Sequence, residues 1–558
     1  MQKLIKDIVH GYISFDKEMM NIVNSPEFQR LKNIRQTSYN SLYPSSLHDR
    51  FTHSIGVYQL AKFAYSHFKE NFSIDFTDEQ QSEEFWGMTE NVFLLACLLH
   101  DIGHSPFSHT GEYFYLKQMS NTASVNAEEK NIYIYEELIK VVDDVDFEQQ
   151  FRQSITNRTV AKPHEIMSAI LGLKKWMTGN TKEERVLFTR MIIGQKYSNS
   201  NEIKKGIYNA LITLLNSSVI DVDKLDYLMR DKMMTGFHGV NIDTERLLSS
   251  VCLVNKKEGR KNNFYLGYYK NALSVIENVV IAHDSEKKWI QTHSVVSYDS
   301  FLVQRCIKAI ESNFSEGTSI FCEEALGCTG LQLEHQNIRL LSDSDIIYLA
   351  KQIKQEDSNY KYIDEYFNRG ARKKSIWKSE SEFDLMLREL GENDRRKFMN
   401  WMRELTEDLK DCVNSVNDSL IIDDTILKEK EKDYLQKQED SDIQQIEKDS
   451  AKEVYESIKT KIDTLKQIAK IFETDFNFVI TWHNRFESNV KKFCNDEVLI
   501  KYKNFEEPKP IGEVISTYSL NKKTSTEGFP NIYYLFYKRG NKTIKPVEFI
   551  KKFVELIA

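Results

Sequence analysis

Residues Val92–His109 read VFLLACLLHDIGHSPFSH. The eight apolar residues from Val92 to Leu99 must be buried, and they stop abruptly at three histidines and an acid: His100, Asp101, His104 and His109. Gly103 and Pro106 stand where a helix should end. This places His100 and Asp101 at the last turn of a core helix, with His104 to His109 on the loop behind it. An isolated His-Asp pair is often only a helix cap beside a solvated acid. Here an apolar rod delivers the pair to the interior, and an imidazole beside a carboxylate offers nitrogen and oxygen ligands that suit manganese, iron, nickel or zinc better than calcium.

Working outward, Ser25-Pro26-Glu27 has the cap, proline and acid of a helix start, with Phe28, Leu31 and Ile34 at helical spacing. The proline turn at Tyr43-Pro44 leads to HDRFTHS, residues 48–54, where Arg50 and His53 are three apart and share a helix face. A polar connection is expected over 72–90, and a charged, loosely periodic stretch over 110–163. His164-Glu165 then opens an apolar helix, its glutamate either orienting the imidazole or serving as a first-turn acid. In IDVDKLDYLMRD, residues 220–231, Asp223, Tyr227 and Asp231 fall four apart on one helical stripe with Lys224 at its edge. Val222, Leu225, Leu228 and Met229 surround that stripe with core residues, and buried acids must be paired or metal-bound.

These signals supply His53, His100, Asp101 and Asp223 as candidate ligands, with Arg50, His104, His109, His164 and Lys224 as a cationic and titratable set around them. Neither a Gly-rich phosphate loop nor a serine nucleophile motif accompanies them. Cations grouped around a metal point to phosphate ester hydrolysis. The net charge of −8 gives no global attraction for anions, so phosphate binding rests on this local pocket and nucleic acid is not favoured as a partner.

The residues quoted, together with Asp7, His10-Gly11, Phe28-Gln29-Arg30-Leu31 and His100 to His109, resemble the HD superfamily of metal-dependent phosphohydrolases. Within it they resemble the deoxynucleoside triphosphate triphosphohydrolases of the dGTPase-like and SAM-and-HD-domain types. The likeness covers about the first 300 residues, in order. The resemblance implies an all-helical core and one metal held by His53, His100, Asp101 and Asp223. It implies a reaction that turns a dNTP into a deoxynucleoside and intact triphosphate, with Mg accompanying the nucleotide. By position, Arg50, His104 and Lys224 would contact phosphate, and His109 would be the acid or proton shuttle. His164 would support it, with Glu112 or Glu165 orienting an imidazole. Tyr227 and Asp231 would sit at the sugar and Gln36 near the 3′-hydroxyl. Two departures stand out. Gln36-Thr37-Ser38 replaces a Gln-Leu-Gly that walls off the 2′-hydroxyl, and Asn24, Gln29 and Lys32 occupy the positions of a regulatory Asp, Gln and Arg, which disfavours activation by a guanine nucleotide. Another activating nucleotide and a homo-oligomer remain compatible with the family. So do an HD phosphodiesterase or nuclease, and a nucleotide-sensing module without catalysis.

The expected fold is mostly α. The prolines lie early, up to Pro163, or late, from Pro508, and nothing breaks the chain between them. Four segments are expected: a phosphohydrolase core over 1–300, a helical extension over 301–427, a charged long-helix segment over 428–504, and a small α/β unit over 505–558. In the third, Ala451, Tyr455, Ile458, Ile462, Leu465, Ala469 and Phe472 step by four and three, a seam that fits either a coiled coil between molecules or a helix lying on its own domain. Val514–Leu520 and Ile532–Tyr537 read as strands. Seven scattered cysteines without a close pair indicate a reducing compartment, and no apolar run reaches membrane length. The expectation is a cytoplasmic chain with no membrane partner.

Overall fold

Val92–Leu99 forms the last turns of a helix, Glu79–Leu99, in a computed structural model. It describes residues 3–72, 79–117, 132–198, 202–259, 261–315, 319–333, 336–410, 412, 415–439, 445–488, 498–505, 507–514, 529–540 and 543–557. The helix corrects the polar connection expected over 72–90, because Trp86 and Thr89 turn inward among the charged residues. Trp86 packs edge-on against Tyr65, Phe68 and Phe72, and the Tyr65 hydroxyl donates to the Trp86 carbonyl. That apolar contact outweighs the local polarity.

The chain divides into two compact units, each assembled from separated segments. They do not coincide with the four sequential segments expected. The first unit takes residues 1–286, 307–353 and 488–521. Its centre is the helix Arg50–Glu70, whose cap Asp49 accepts the Thr52 N–H, packed against Glu79–Leu99 and Val222–Thr235. The helix Pro163–Lys175 packs against Ile132–Val142 and Lys182–Ile193. The stretch 110–163 is therefore helical over Ile132–Val142 and Val145–Thr156. Phe264–Tyr269 lies in the strand Lys261–Tyr269, within a sheet ordered Lys509–Pro510, Leu499–Lys501, Lys261–Tyr269, Val251–Glu258. Only the pair Leu499–Lys501 and Lys261–Tyr269 is parallel.

The second unit takes residues 287–306, 354–487 and 522–558. Its sheet runs Lys374–Ser375, Asn531–Tyr537, Phe478–Asn484, Ser419–Ile422, Ser415–Val416, every neighbouring pair antiparallel. The expected strand Ile532–Tyr537 is thus an interior strand of a sheet rather than part of an appendage. Val514 corrects the other strand: it ends a short helix, Ile511–Val514, while 515–520 lie outside the described residues. The heptad seam lies on the helix Gln445–Ile471, where Ile458, Ile462, Leu465 and Ala469 are buried with Phe472, Phe478 and Phe549 in one core. The helix therefore lies on its own domain, since those seam residues already face that core. Tyr455 stacks on Tyr434 of the neighbouring helix Asp424–Glu439.

Fold class is mostly α, with small sheets. Among the described residues no helix is long and apolar enough to cross a membrane, and the described cysteines are free. Cys494 lies outside the described residues.

Candidate functional site

Two helices of the first unit and the turn that ends a third bring four candidate ligand residues together. His53 Nε2 lies 2.9 Å from Asp223 Oδ1, 3.3 Å from His100 Nε2 and 3.6 Å from Asp101 Oδ2. His100 Nε2 is 3.6 Å from both Asp101 Oδ1 and Asp223 Oδ1. Atoms bound about 2.1 Å from one divalent ion stand about 3–4 Å apart, so the donor set fits a metal. Both imidazoles are turned so that they could serve one. His53 Nδ1 is held 2.7 Å from Asp226 Oδ2 and His100 Nδ1 2.9 Å from the Cys97 carbonyl, so each directs Nε2 inward. Asp223, whose side chain is 34 % exposed, forms the open side of an otherwise buried cluster. His53, His100 and Asp101 form a group that could hold a metal ion.

Behind His53 stands a charged network whose centre, Asp226 and Arg230, the sequence reading did not single out. Asp226 accepts from Arg230 Nε at 2.9 Å and Nη2 at 3.0 Å, and His10 Nε2 lies 2.6 Å from its other face. Arg230 also reaches Asp7 at 2.9 Å. Burial pushes the Asp226 carboxyl up, but Arg230, His10 and His53 outweigh it and hold the group far below the usual carboxylate range. The signal was present as an Asp-Arg pair four apart, one position round the helix from the Asp223 stripe. Gly56 makes the approach possible, because a β-carbon there would lie 2.0 Å from Asp226 Oδ1.

A second cluster adjoins the first through Asp101. His104 Nε2 is 3.3 Å from Asp101 Oδ1, and its ring stacks on His164 with centroids 3.9 Å apart. Both ring nitrogens of His104 are buried without a hydrogen-bond partner. Burial, with Arg50 and His164 nearby, pushes His104 well below the ordinary histidine range, so it stands as a neutral imidazole with one N–H to give. Glu112 Oε1 lies 2.7 Å from His109 Nδ1 and 2.6 Å from His164 Nδ1, the latter off the hydrogen-bond line. His109 is 59 % exposed at its side chain. Gly103 lets this loop press on the helix Pro163–Lys175: a β-carbon would fall 2.3 Å from the Ser168 nitrogen, and Ser168 Oγ accepts the Gly103 N–H.

The remaining sequence candidates fall as follows. Arg50 bonds Asp101 Oδ2 at 2.6 Å and also Ser108 Oγ and the Gln36 carbonyl, so its cation already neutralises a candidate ligand. Lys224 is drawn to Asp221 at 2.7 Å and the Ser217 carbonyl at 2.6 Å, because Asp221 caps its helix. Glu165 bonds the Lys162 amide and Asn216, away from the imidazoles. Asp231 meets His48 Nε2 at 2.6 Å, and burial, opposed in part by a hydrogen bond with Glu286, pushes its carboxyl up. Tyr227 is half-buried, and desolvation together with the carboxylates of Glu286 and Asp223 pushes its phenol well above the usual range. Gln36 is buried with Oε1 unpartnered, and Thr37 Oγ1 pairs with Ser46 Oγ. Of the regulatory positions, Asn24 ends the first helix, Gln29 donates to the Val23 carbonyl, and the Lys32 ammonium sits over the Phe51 ring.

The loop after His104 is strained. Phe107 has φ +57°, and Ser108 has φ +50° with ψ −131°, a region that glycine favours and that costs other residues about 1–3 kcal/mol each.

Helices that converge histidines and aspartates in this way define an HD domain, and residues 50–226 match the HD domain family model. The match covers that segment of the chain. Its relatives include an uncharacterized protein of Mycoplasma genitalium, 27 % identical over 56 % of this chain and 63 % of that protein. An uncharacterized protein of Methanocaldococcus jannaschii is 26 % identical over 55 % of this chain and 49 % of its own length. The deoxynucleoside triphosphate triphosphohydrolase SAMHD1 of Danio rerio is 28 % identical over 47 % of this chain and 38 % of its own. The chain thus spans between about two fifths and three fifths of these curated relatives. A crystal structure of a hypothetical protein from Aquifex aeolicus shares the fold, with TM-score 0.51 and 16 % identity, over 99 % of this chain and 100 % of that one.

Proposed function

We propose that the chain is a metal-dependent phosphohydrolase that converts deoxynucleoside triphosphates to a deoxynucleoside and intact triphosphate. The observation that carries the reading is the convergence of His53, His100, Asp101 and Asp223 within 3.6 Å of one another on the pairs given above, beside an unpartnered His104. Relatives that bear the name deoxynucleoside triphosphate triphosphohydrolase add the substrate class.

His53, His100, Asp101 and Asp223 would hold one metal ion, and their nitrogen and oxygen donors suit manganese, iron, nickel or zinc. When bound, such an ion supplies Lewis acidity toward a phosphoryl oxygen and lowers the pKa of water, to about 7 in favourable cases. The protein's own groups do the rest. His104 gives its N–H to a phosphoryl oxygen, and Arg50 balances the Asp101 charge beneath it. His109, its Nδ1 bound to Glu112, presents Nε2 at the exposed edge and passes a proton to the leaving oxygen. Glu112 stabilises the imidazolium, and His164 backs the His104 ring. Tyr227, Asp231 and the open Oε1 of Gln36 face the sugar. An activating nucleotide and a homo-oligomer belong to the same reading.

The test is to incubate the purified protein with manganese or magnesium and each dNTP and NTP, singly and in pairs, and to identify products by chromatography. Deoxynucleoside with tripolyphosphate is the expected product, absent from the His100→Ala/Asp101→Ala double variant. Silence across all mixtures in a metal-loaded protein defeats the reading.

A further inference from the structure

The strained turn that carries Phe107 and Ser108 is held from a part of the chain far beyond the HD match. Asp343, at the start of the helix Asp343–Ala350, accepts the Phe107 N–H at 2.7 Å with one carboxylate oxygen and the Arg35 N–H at 3.0 Å with the other. Ser108 ties the same two backbone segments together a second time, since its hydroxyl donates to the Arg35 carbonyl at 2.5 Å. That hydroxyl also accepts from Arg50 Nε at 2.9 Å, and Arg50 grips Asp101 at 2.6 Å. On the other side of the loop Arg30, fully enclosed, donates to the carbonyls of Ile102 and His104 at 2.7 and 3.0 Å, and to the Leu341 carbonyl at 3.0 Å. The loop that bears the imidazoles is thus clasped between a cation on the carbonyls of Ile102 and His104 and an anion on the amide of Phe107. Asp343 and Leu341 supply the far anchor of both clasps.

We infer that Asp343 is a positioning residue for the hydrolytic site: bridging Phe107 and Arg35, it fixes the 105–108 turn and so sets where His104, His109 and Arg50 stand. An inward carboxylate that serves two backbone amides has little other reason to be buried. The backbone of Ser108 would otherwise relax out of a region few serines occupy. The inference rests on the hydrolase reading for its effect on turnover. The clasp itself is independent of any substrate.

The experiment compares wild type, Asp343→Ala and Asp343→Asn by three readouts: amide hydrogen exchange over residues 101–112, manganese affinity by calorimetry, and kcat and KM for the best dNTP. Loss of the carboxylate is expected to speed exchange at 105–109 at least tenfold and to lower kcat thirtyfold or more. KM and manganese affinity are expected to stay within threefold. Asparagine keeps an acceptor for the Phe107 amide and is expected to recover at least fivefold of the lost kcat. Unchanged exchange in Asp343→Ala, or a kcat within threefold of wild type, overturns the inference. A fall in manganese affinity parallel to that in kcat overturns it as well, because it marks general loosening. If wild type turns over no nucleotide while exchange at 105–109 still responds, the hydrolase reading fails and the clasp stands.

Discussion

Asp226→Asn isolates the contribution of the charge behind His53. The asparagine keeps the shape but places an NH2 group among four donors, from His53, His10 and two guanidinium nitrogens of Arg230, all within 3.0 Å of the present carboxylate. Arg230 is then left with Asp7 alone, at 2.9 and 3.4 Å. Breaking a buried ion pair from one side costs about 3–5 kcal/mol, and Asp7 offsets part of this, so a loss of about 3 kcal/mol in unfolding free energy is expected. Separately, His53 loses the carboxylate that fixes its ring and raises its basicity. Partners of that kind are worth about 10–100-fold in metal affinity, or about 1.4–2.7 kcal/mol. Urea denaturation of the metal-free protein reads the first term, and calorimetric titration with manganese at a temperature where the variant is fully folded reads the second. A folded Asp226→Asn protein that binds manganese within twofold of wild type would refute the argument that Asp226 sets the ligand.

Four further outcomes follow from the geometry. Glu112→Gln removes the charge shared by His109 and His164, and should lower kcat about 10–100-fold while manganese affinity stays within threefold, as steady-state kinetics and calorimetry would show. Gly56→Ala forces a methyl into Asp226 Oδ1 and should cost about 3 kcal/mol by chemical denaturation. Chelation should lower the melting temperature, since metal at 100 times its dissociation constant contributes about 2.7 kcal/mol, and thermal scans with and without EDTA would test this. Burial pushes the Asp343 carboxyl up to about 6. A carboxyl whose folded pKa is raised favours the folded state at low pH and loses that advantage as pH climbs through the folded value. Wild type should therefore lose about 1 kcal/mol relative to Asp343→Asn between pH 5 and pH 7, measured by paired urea melts.

The ligand stretch was legible because its physics is local. An apolar run ending in His100 and Asp101 can be read without knowing any partner, and the structure brings His53 and Asp223 to the same point. Asp226 and Arg230 escaped notice because they occupy the neighbouring stripe of a helix already accounted for by Asp223, Tyr227 and Asp231. Lys224 shows what a sequence hides: beside a candidate ligand it reads as a free cation, whereas the cap Asp221, three residues before it, already pairs with it. The seam of the helix Gln445–Ile471 carried no information about whose surface it meets until Phe478 and Phe549 were seen beside it. Asp343 was beyond reach of any local rule, since its partners Arg35 and Phe107 are more than two hundred residues away. Ser108 gave no warning either, because a serine does not announce a backbone conformation that glycine would.

The parallel pairing of Leu499–Lys501 with Lys261–Tyr269 has a consequence for biosynthesis. Roughly 230 residues separate Tyr269 from Leu499, so at translation rates of about 5–20 residues per second the inner strand waits roughly 10–50 s for its neighbour. During that interval the edge of Lys261–Tyr269, with Phe264, Tyr265, Tyr268 and Tyr269 along it, is an open template for another nascent chain. On a polysome the hazard lies between successive copies of this same strand, and a chaperone that shields it until residue 501 has left the ribosome would raise the yield of native protein.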